Sequence, residues 1–228
     1  MAISSFLTKA ALGLGAASAT AAGAAYASGV FSSSDEKKEL ISKLIKTTNP
    51  DKRIIIASSG DDPHWKEAWK RYREDNSPNS DVWKLKNWNK SSTPVTSSET
   101  APSNFMSECA SRLSLEISGV ESNLYKEVLK YCTRDTLVED WVKESGKSLR
   151  AKGDGKSQEW KNLWTKYRTA NKDKEQGKDE WGIFKQKWTD ITSADAPSEF
   201  RDKCETESKL KSASLSEDSV KKVLAYCI

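Results

Sequence analysis

Apolar side chains recur at spacings of three and four residues along most of the chain, which is the pattern of amphipathic helices. One such face carries Trp65, Trp69 and Tyr72. It follows Asp62 and Pro63, a residue that caps helices and one that fits their first turn. Because strand patterns are almost absent, the sequence predicts an all-α body.

Further apolar stripes predict further helices, with two interruptions. Residues 40–45 and 137–142 each carry a short stripe. Residues 53–57 look extended, and the later part of the chain has no β-rich counterpart to them. Residues 91–103 are rich in Ser, Thr and Pro, which indicates a linker between helices. A last stripe at helical spacing, Trp181, Phe184 and Trp188, predicts another helix.

The same pattern occurs twice in the chain, at an offset of 95 residues, so that Trp160 repeats Trp65. Such self-similarity is the signature of a tandem repeat. Asp-x-Trp pairs ending at Trp83 and Trp181 match after a gap of three residues. The first-copy positions that recur at this offset include Trp65, Lys66, Trp69, Tyr72, Arg73, Ala101, Pro102, Phe105, Cys109, Val128, Tyr131 and Cys132. The sequence therefore predicts two copies of a four-helix unit, residues 36–133 and 134–228.

An uncharged stretch rich in Ala and Gly precedes the two copies, at residues 10–31. As a helix it would be about 33 Å long, enough to cross a bilayer core of about 30 Å. We expect residues 1–35 to be a transmembrane anchor or a signal segment. Small residues recur every four positions along it, as in membrane helices that pack closely: Gly15, Ala19, Gly23 and Ala27.

Two alternatives to an anchor remain open for this stretch. Ala25, Tyr26 and Ala27 before Ser28 fit the small-x-small pattern at which secretory signals are cleaved. A buried Ala-rich helix of a cytosolic protein is the other alternative. An anchor and a cleaved signal both place the rest of the chain outside the cytoplasm.

Four cysteines form two identically spaced pairs, Cys109 with Cys132 and Cys204 with Cys227. Paired within each copy, they would each close a loop of about 24 residues and contribute about 3.5 kcal/mol in the chain-entropy model. Disulfides persist in oxidising compartments, which agrees with export. Four reduced cysteines, crossed pairing between copies and a zinc site remain alternatives. Zinc is disfavoured because the chain has no Cys-x-x-Cys and one histidine.

Charge and motifs narrow the function classes. With 37 basic and 33 acidic side chains the net charge is +4, so the chain as a whole lacks the excess expected of a nucleic-acid-binding protein. No phosphate-binding glycine motif and no calcium loop occur. His64, the one histidine, has no paired nucleophile in the sequence and is interpreted as a surface residue. We therefore expect no enzyme activity, no cofactor and no metal.

Nine tryptophans are many for a chain of 228 residues. Most can supply core area that a small, polar helical body otherwise lacks. The core candidates are Trp65, Trp69, Trp160 and Trp164. Exposed aromatic side chains can instead anchor a partner. The candidates for such anchors are Trp83, Trp88, Trp181 and Trp188.

Three features of the chain occur together. The chain starts with Ser and Lys residues before a Gly/Ala-rich stretch at residues 10–29. Trp-x-x-x-Trp-x-x-Tyr follows at Trp65 and Trp160, and each copy closes on a Tyr-Cys pair at Cys132 or Cys227. In these features the chain resembles the large paralogous families of exported proteins in haemotropic mycoplasmas, bacteria that live on red blood cells. The resemblance implies a surface or secreted product, one of many variants shown to host immunity, and brings no catalytic residues.

These observations lead to two functional expectations. The first is a membrane-anchored extracellular protein that contacts a host protein or antibody as a host-interaction module or variable surface antigen, with the N-terminal helix in the membrane. The alternative is a secreted protein that binds a small ligand in a tryptophan-lined cleft between the two copies. Neither expectation involves catalysis or nucleic acid.

Overall fold

A computed structural model describes residues 38–78, 80–90, 93–185 and 193–228. Within these ranges the chain is helix-rich, with eight helices, four short strands and two disulfides. The predicted N-terminal helix at residues 10–31 lies outside the described residues. No helix in the described part of the chain is long and apolar enough to cross a membrane.

The helices divide equally between the first half of the body, residues 38–133, and the second half, residues 134–228. Those of the first half are α1 (Ile41–Thr48), α2 (Pro63–Asp75), α3 (Ser103–Leu113) and α4 (Asn123–Tyr131). Those of the second half are α5 (Val138–Glu144), α6 (Gln158–Asn171), α7 (Ser198–Ser208) and α8 (Asp218–Tyr226). The described residues pack into one compact unit.

Four short strands form two antiparallel pairs. β1 (Glu39–Leu40) pairs with β3 (Glu116–Ile117), and β2 (Lys52–Ile54) pairs with β4 (Thr133–Asp135). In the second pair Lys52 lies opposite Asp135. β2 overlaps the segment that the sequence predicts to be extended, and β4 is the connection between the two halves.

Capping chemistry at α2 is as the sequence predicts. The Asp62 side chain accepts a hydrogen bond of 2.8 Å from the backbone N–H of His64, and Pro63 is the first helical residue. At α6 the same role falls to Ser157, which accepts from the N–H of Trp160. Both caps bind N–H groups that have no partner inside the helix.

Each half has its own aromatic core around a fully buried phenylalanine, Phe105 or Phe200. The ring centroid of Phe105 lies 6.0, 5.0 and 5.3 Å from those of Trp65, Trp69 and Tyr72. The ring centroid of Phe200 lies 6.0, 5.1 and 5.2 Å from those of Trp160, Trp164 and Tyr167. The four tryptophans that the sequence assigns to the core are therefore buried there.

Both disulfides form within a half, as the cysteine spacing predicts. Cys109 bonds to Cys132, which joins α3 to the end of α4, and Cys204 bonds to Cys227, which joins α7 to the end of α8. All four cysteines are used, so reduced thiols, crossed pairing and a cysteine zinc site are excluded in this structure. Two disulfides fit an extracellular or secreted location.

The helix predicted from Trp181, Phe184 and Trp188 is absent from the part of this segment that the structure describes. Trp181 and Phe184 lie in a turn that follows α6, and Trp188 lies outside the described residues. The Asp179 carboxylate accepts hydrogen bonds of 3.1 Å from the N–H groups of both Ile183 and Phe184, so these donors are satisfied without a helix. Gly182, with φ of +62°, bends the chain out of the helical region.

The two halves are joined by hydrogen bonds as well as by the chain. The N–H of buried Thr136 in the second half donates to the carbonyl oxygen of Asp51 in the first (2.8 Å). Within the second half, the N–H of Ser212 donates to the carbonyl oxygen of Thr136 (2.9 Å). The Arg53 guanidinium lies 4.7 Å from the ring centroid of Trp141 in the second half. A cation above an aromatic face is attracted to it, so this contact adds to the backbone link.

Candidate functional site

The tryptophans predicted to be interaction anchors are not exposed where the structure describes them. Trp83, Trp88 and Trp181 are 5%, 6% and 9% exposed, so the expectation of exposed anchors is wrong for these three. Trp83 stacks 5.6 Å from Phe105, and Trp88 meets the Trp69 ring edge-on at 5.5 Å. Trp188, the fourth candidate, lies outside the described residues.

A buried polar network fixes the loop after α2. The Tyr72 hydroxyl donates to the Asp81 carboxylate (2.6 Å) and accepts from the N–H of Trp83 (3.2 Å). Asp81 also accepts from the N–H of Leu85 at 2.8 Å. The Asn76 side chain donates to the carbonyl oxygen of Tyr72. The loop is therefore fastened to the helix by side chains rather than by regular secondary structure.

The loop after α6 is fastened in the same way. The Tyr167 hydroxyl donates to Asp179 (2.5 Å) and accepts from the N–H of Trp181 (3.0 Å). The Asn171 side chain donates to the carbonyl oxygen of Tyr167 and accepts from the N–H of Glu180. Sequence reasoning overlooked both asparagines, although Asn76 and Asn171 stand at the repeat offset of 95 residues.

These tyrosines are structural groups rather than acid–base groups. Burial, and then the hydrogen bond to a carboxylate, raises the pKa of Tyr72 far above its ordinary value. The same causes, in the same order, raise the pKa of Tyr167. Both hydroxyls therefore stay protonated at physiological pH and act as permanent hydrogen-bond donors.

A buried arginine orders the segment that the sequence assigns to a linker. Arg73 is fully buried and pairs with the Glu99 carboxylate at 2.5 Å. Its guanidinium also donates to the carbonyl oxygen of Thr96 (2.6 Å) and lies 5.6 Å from the Trp69 ring centroid. A buried charge needs such partners, so Arg73 holds this segment against α2.

A groove of about 680 Å³ lies between α2 and α4 and reaches the start of the second half. We call it the junction groove. Spacings of three and four residues place its side chains on one face of each helix. From α2 these are His64, Glu67 and Arg71, and from α4 they are Lys126, Leu129 and Lys130.

β4 and its neighbours complete the junction groove. The contributing side chains are Lys52, Thr133, Arg134, Asp135, Leu137 and Lys211. Lys211 comes from the second half and Lys52 from the first, so both halves contribute to the groove. In total six lysines and arginines line it against two carboxylates, Glu67 and Asp135.

Asp135 lies between two of these cations. Its carboxylate pairs with Lys52 (2.6 Å) and with Lys211. Burial alone would raise the pKa of Asp135, but the hydrogen bonds and charges of Lys211 and Lys52 outweigh it and hold the pKa at about 2. Lys52 also lies 3.9 Å from the Asp51 carboxylate, so Lys211 is the member of this group most open to a further anion, with a side chain that is 77% exposed.

Arg71 is a second source of positive potential. Its Nε donates to the carbonyl oxygen of Lys130 (3.0 Å) and its Nη2 to that of Thr133 (2.7 Å). Burial, which disfavours the charged form, lowers the pKa of Arg71. Both hydrogen bonds go to neutral carbonyl groups and hold the guanidinium in place, while the charges of nearby carboxylates oppose part of its own: Glu67, Asp135, Glu74 and Asp75.

Arg134 differs from Arg71 because its guanidinium forms a bidentate ion pair with a carboxylate. Its Nη1 and Nη2 donate to the two carboxylate oxygens of Asp140 at 2.6 and 2.7 Å. Asp140 also accepts from the N–H of Leu137 at the start of α5. Arg134 therefore positions α5 and adds little to the net charge of the groove.

His64 is half-buried at the start of α2, beside Glu67 in the junction groove. Among the described residues, no group of three or more His, Cys, Asp or Glu side chains is placed to hold a metal ion.

A smaller groove of about 400 Å³ lies on the Arg53 side of β2. Trp141 is the one tryptophan among its lining residues, and the junction groove has none. Residues of both halves line this smaller groove. The expectation of a tryptophan-lined cleft between the two copies stays a prediction.

Comparison with protein-family models, with curated proteins and with solved structures found no match.

Proposed function

We propose that this chain is an exported surface protein, held in the membrane by its N-terminal segment, whose body contacts a host molecule or antibody without catalysis. The observation that carries the proposal is the pair of disulfides, one in each half, with no cysteine left over. Disulfides of this kind persist outside the cytoplasm. The uncharged stretch at residues 10–31 supplies a means of export.

We further propose that the two halves are tandem copies of one disulfide-tied helical unit. The matching rings around Phe105 and Phe200 support this, as do the matching Tyr–Asp hydrogen bonds. Surface positions differ between the halves: His64 corresponds to Glu159, and Lys130 corresponds to Ala225. A constant interior that tolerates varied surfaces is what a variable surface antigen requires.

Protease treatment of intact cells tests the proposal. Cells expressing the chain with a C-terminal epitope tag are treated with a protease that does not enter them, with a cytoplasmic protein as the control. We expect the tag to disappear from treated cells while the control protein survives. Full protection of the tag on intact cells, together with its loss after lysis, would place the body inside and overturn the proposal.

The mass of the native protein separates an anchor from a cleaved signal. A retained anchor predicts a chain that still contains residues 1–35, recovered with the membrane fraction. Cleavage after Ala27 predicts a chain that begins at Ser28 and is recovered from the medium. Only the first result agrees with the anchored form proposed here.

A further inference from the structure

We propose, resting on the export proposed above, that the junction groove binds a sulfated polysaccharide of the host surface. Apart from Arg134, which Asp140 already pairs, the groove brings cations from α2, α4, β2 and the segment after α7 to one concave surface. Sulfate groups spaced along a flexible chain can each meet one of these cations.

Three lysines are available to such a ligand. The side chains of Lys126, Lys130 and Lys211 are 58%, 52% and 77% exposed. Their carboxylate partners are Glu121, Asp75 and the shared Asp135. Exposed ion pairs of this kind contribute about 0–1 kcal/mol each, so a polyanion can exchange them for its own sulfates at little cost.

Arg71 gives the groove a fixed cation at its base. Two hydrogen bonds to the carbonyl oxygens of Lys130 and Thr133 orient the guanidinium before any ligand arrives. A planar guanidinium with several donors suits sulfate and phosphate oxygens. The exposed lysines can thus attract the ligand, while Arg71 provides a preorganised contact.

The groove's lining favours a sulfated glycan over other anions. Single-stranded nucleic acids are held by aromatic rings on which bases stack, and the groove has no tryptophan, tyrosine or phenylalanine among its lining residues. Its concave shape does not suit a flat lipid surface. Leu129 and Leu137 are its only large apolar side chains, which leaves charge as the main attraction.

The second half shows that this groove is not a general property of the helical unit. At the positions of His64, Glu67 and Lys130 it carries Glu159, Asn162 and Ala225. The equivalent of Arg71 is Lys166, an exposed lysine on α6. The positive groove therefore belongs to the first half and to the junction.

The test measures binding of a size-defined heparin oligosaccharide to the full-length, disulfide-bonded chain by titration calorimetry. Lys126→Gln/Lys130→Gln/Lys211→Gln removes the three exposed groove lysines. We expect its dissociation constant to rise about tenfold or more, because three of the steering charges are gone. We also expect the slope of log K against log salt to become shallower by about 2.

A matched control removes the same charge elsewhere. Lys166→Gln/Lys172→Gln/Lys178→Gln changes three exposed lysines of the second half that do not line the groove. We expect it to bind within about twofold of the unchanged protein. Equal weakening in both variants would mean attraction to net charge alone and would overturn the proposal.

Other anions complete the test. A hyaluronan oligosaccharide, which has carboxylates but no sulfates, and a single-stranded oligonucleotide are titrated under the same conditions. Tighter binding of heparin than of either supports the proposal, whereas equal or tighter binding of the oligonucleotide overturns it. No heparin binding by a chain whose tag is accessible on cells would defeat this inference and leave the proposed function standing.

Discussion

The two halves of the body agree in their interior and differ on their surface. Phe105 and Phe200 lie at nearly the same distances from their tryptophans, and the disulfides join equivalent helices. The positions that line the junction groove in the first half carry a different set of charges in the second. The interior is constrained by packing and hydrogen bonds, whereas an exposed side chain can change with little effect on stability.

The loops after α2 and α6 show how the shared interior tolerates insertions. From tyrosine to aspartate the first loop spans 9 residues and the second spans 12. Both nevertheless return an aspartate to the tyrosine hydroxyl. The longer loop contains Gly177 at φ of +72°, and beyond the aspartates the chain bends at Lys84 and Asn87 in the first half and at Gly182 in the second. The same anchor can thus hold loops of different length.

The largest expected loss of stability comes from adding a side chain to a glycine that packs directly against a backbone carbonyl, which occurs at equivalent positions in the two halves. A Cβ on Gly60 would lie 2.0 Å from the carbonyl oxygen of Ala101, and one on Gly155 would lie 2.1 Å from that of Ala196. We expect each Gly→Ala change to cost about 4 kcal/mol or more, since backbone atoms would have to move.

Denaturant unfolding measures this cost, with Gly119→Ala as the control because nothing lies within 4 Å of its Cβ position. Gly155, at φ of +79°, should be the more costly of the two by about 1 kcal/mol. A Gly60→Ala protein as stable as the Gly119→Ala protein would contradict the close approach.

Next in size is the loss of either disulfide. Cys109→Ala/Cys132→Ala and Cys204→Ala/Cys227→Ala each open a loop of about 24 residues, so each should cost about 3.5 kcal/mol. The two double variants are compared by urea unfolding with the oxidised parent. A large cost in one half and none in the other would break the equivalence of the halves.

A smaller loss of stability is expected when the aspartate of either Tyr–Asp network is replaced, and the loss should differ between the two networks. Asp81→Ala removes the acceptor of the Tyr72 hydroxyl and of one N–H, whereas Asp179→Ala removes the acceptor of the Tyr167 hydroxyl and of two. We expect a cost of about 2 kcal/mol for Asp81→Ala and about 1 kcal/mol more for Asp179→Ala.

Thermal unfolding in the same buffer ranks the two variants, with the unchanged chain as reference. If Asp81→Ala proved the more destabilising, the count of satisfied donors would not govern these loops.

The smallest expected change in stability comes from replacing Asp135 in the junction groove. Because the folded pKa of Asp135 is lowered from its ordinary 3.8 to about 2, the carboxylate stabilises the fold above about pH 4 and loses that effect as the pH falls towards 2. Asp135→Asn should cost less than about 1 kcal/mol at pH 7, since the pair is partly exposed.

Unfolding curves of Asp135→Asn and the unchanged chain, recorded at pH 7, 4 and 2, check this. Their difference should shrink towards zero at the lowest pH. A difference that stayed constant or grew on acidification would have the wrong sign for a lowered pKa.

Sequence reasoning reached those parts of the fold that depend on local spacing. The α2 start at Asp62 and Pro63 and the pairing of Cys109 with Cys132 are both set by residues whose separation is visible in the chain. The later part of the chain shows the same spacings at an offset of 95 residues. The start of α2 and both disulfide pairings were therefore predictable, whereas the helix predicted at Trp181 and Phe184 was wrong.

The conformations of the loops after α2 and α6 were not predictable, because side-chain hydrogen bonds fix them. Trp181 and Phe184 have helical spacing, but buried residues of a turn can show the same spacing by coincidence, and the Asp179 carboxylate stabilises the turn. The candidate anchors failed for a related reason: Trp83 and Trp88 return to the core through the loop fixed by Tyr72. Their burial required the tertiary structure.

The junction groove lay beyond the sequence for another reason. Lys126 and Lys130 are recognisable as one face of a helix, but nothing in their spacing shows that Arg71 and Lys211 lie beside them. Arg71 is placed there by its hydrogen bonds to Lys130 and Thr133, about sixty positions away. Lys211 is placed there by its backbone bridge to Leu137, more than seventy positions away. The near-equal numbers of basic and acidic residues in the whole chain gave no sign that six lysines and arginines line this groove against two carboxylates.

The most direct test of the account is the redox state of the native protein. Intact cells are treated with an alkylating reagent, and the chain is then isolated and its mass measured before and after reduction and a second alkylation. We predict no modified cysteine before reduction and four after it, with peptides linking Cys109 to Cys132 and Cys204 to Cys227. Four cysteines alkylated without reduction would contradict an exported, disulfide-bonded body.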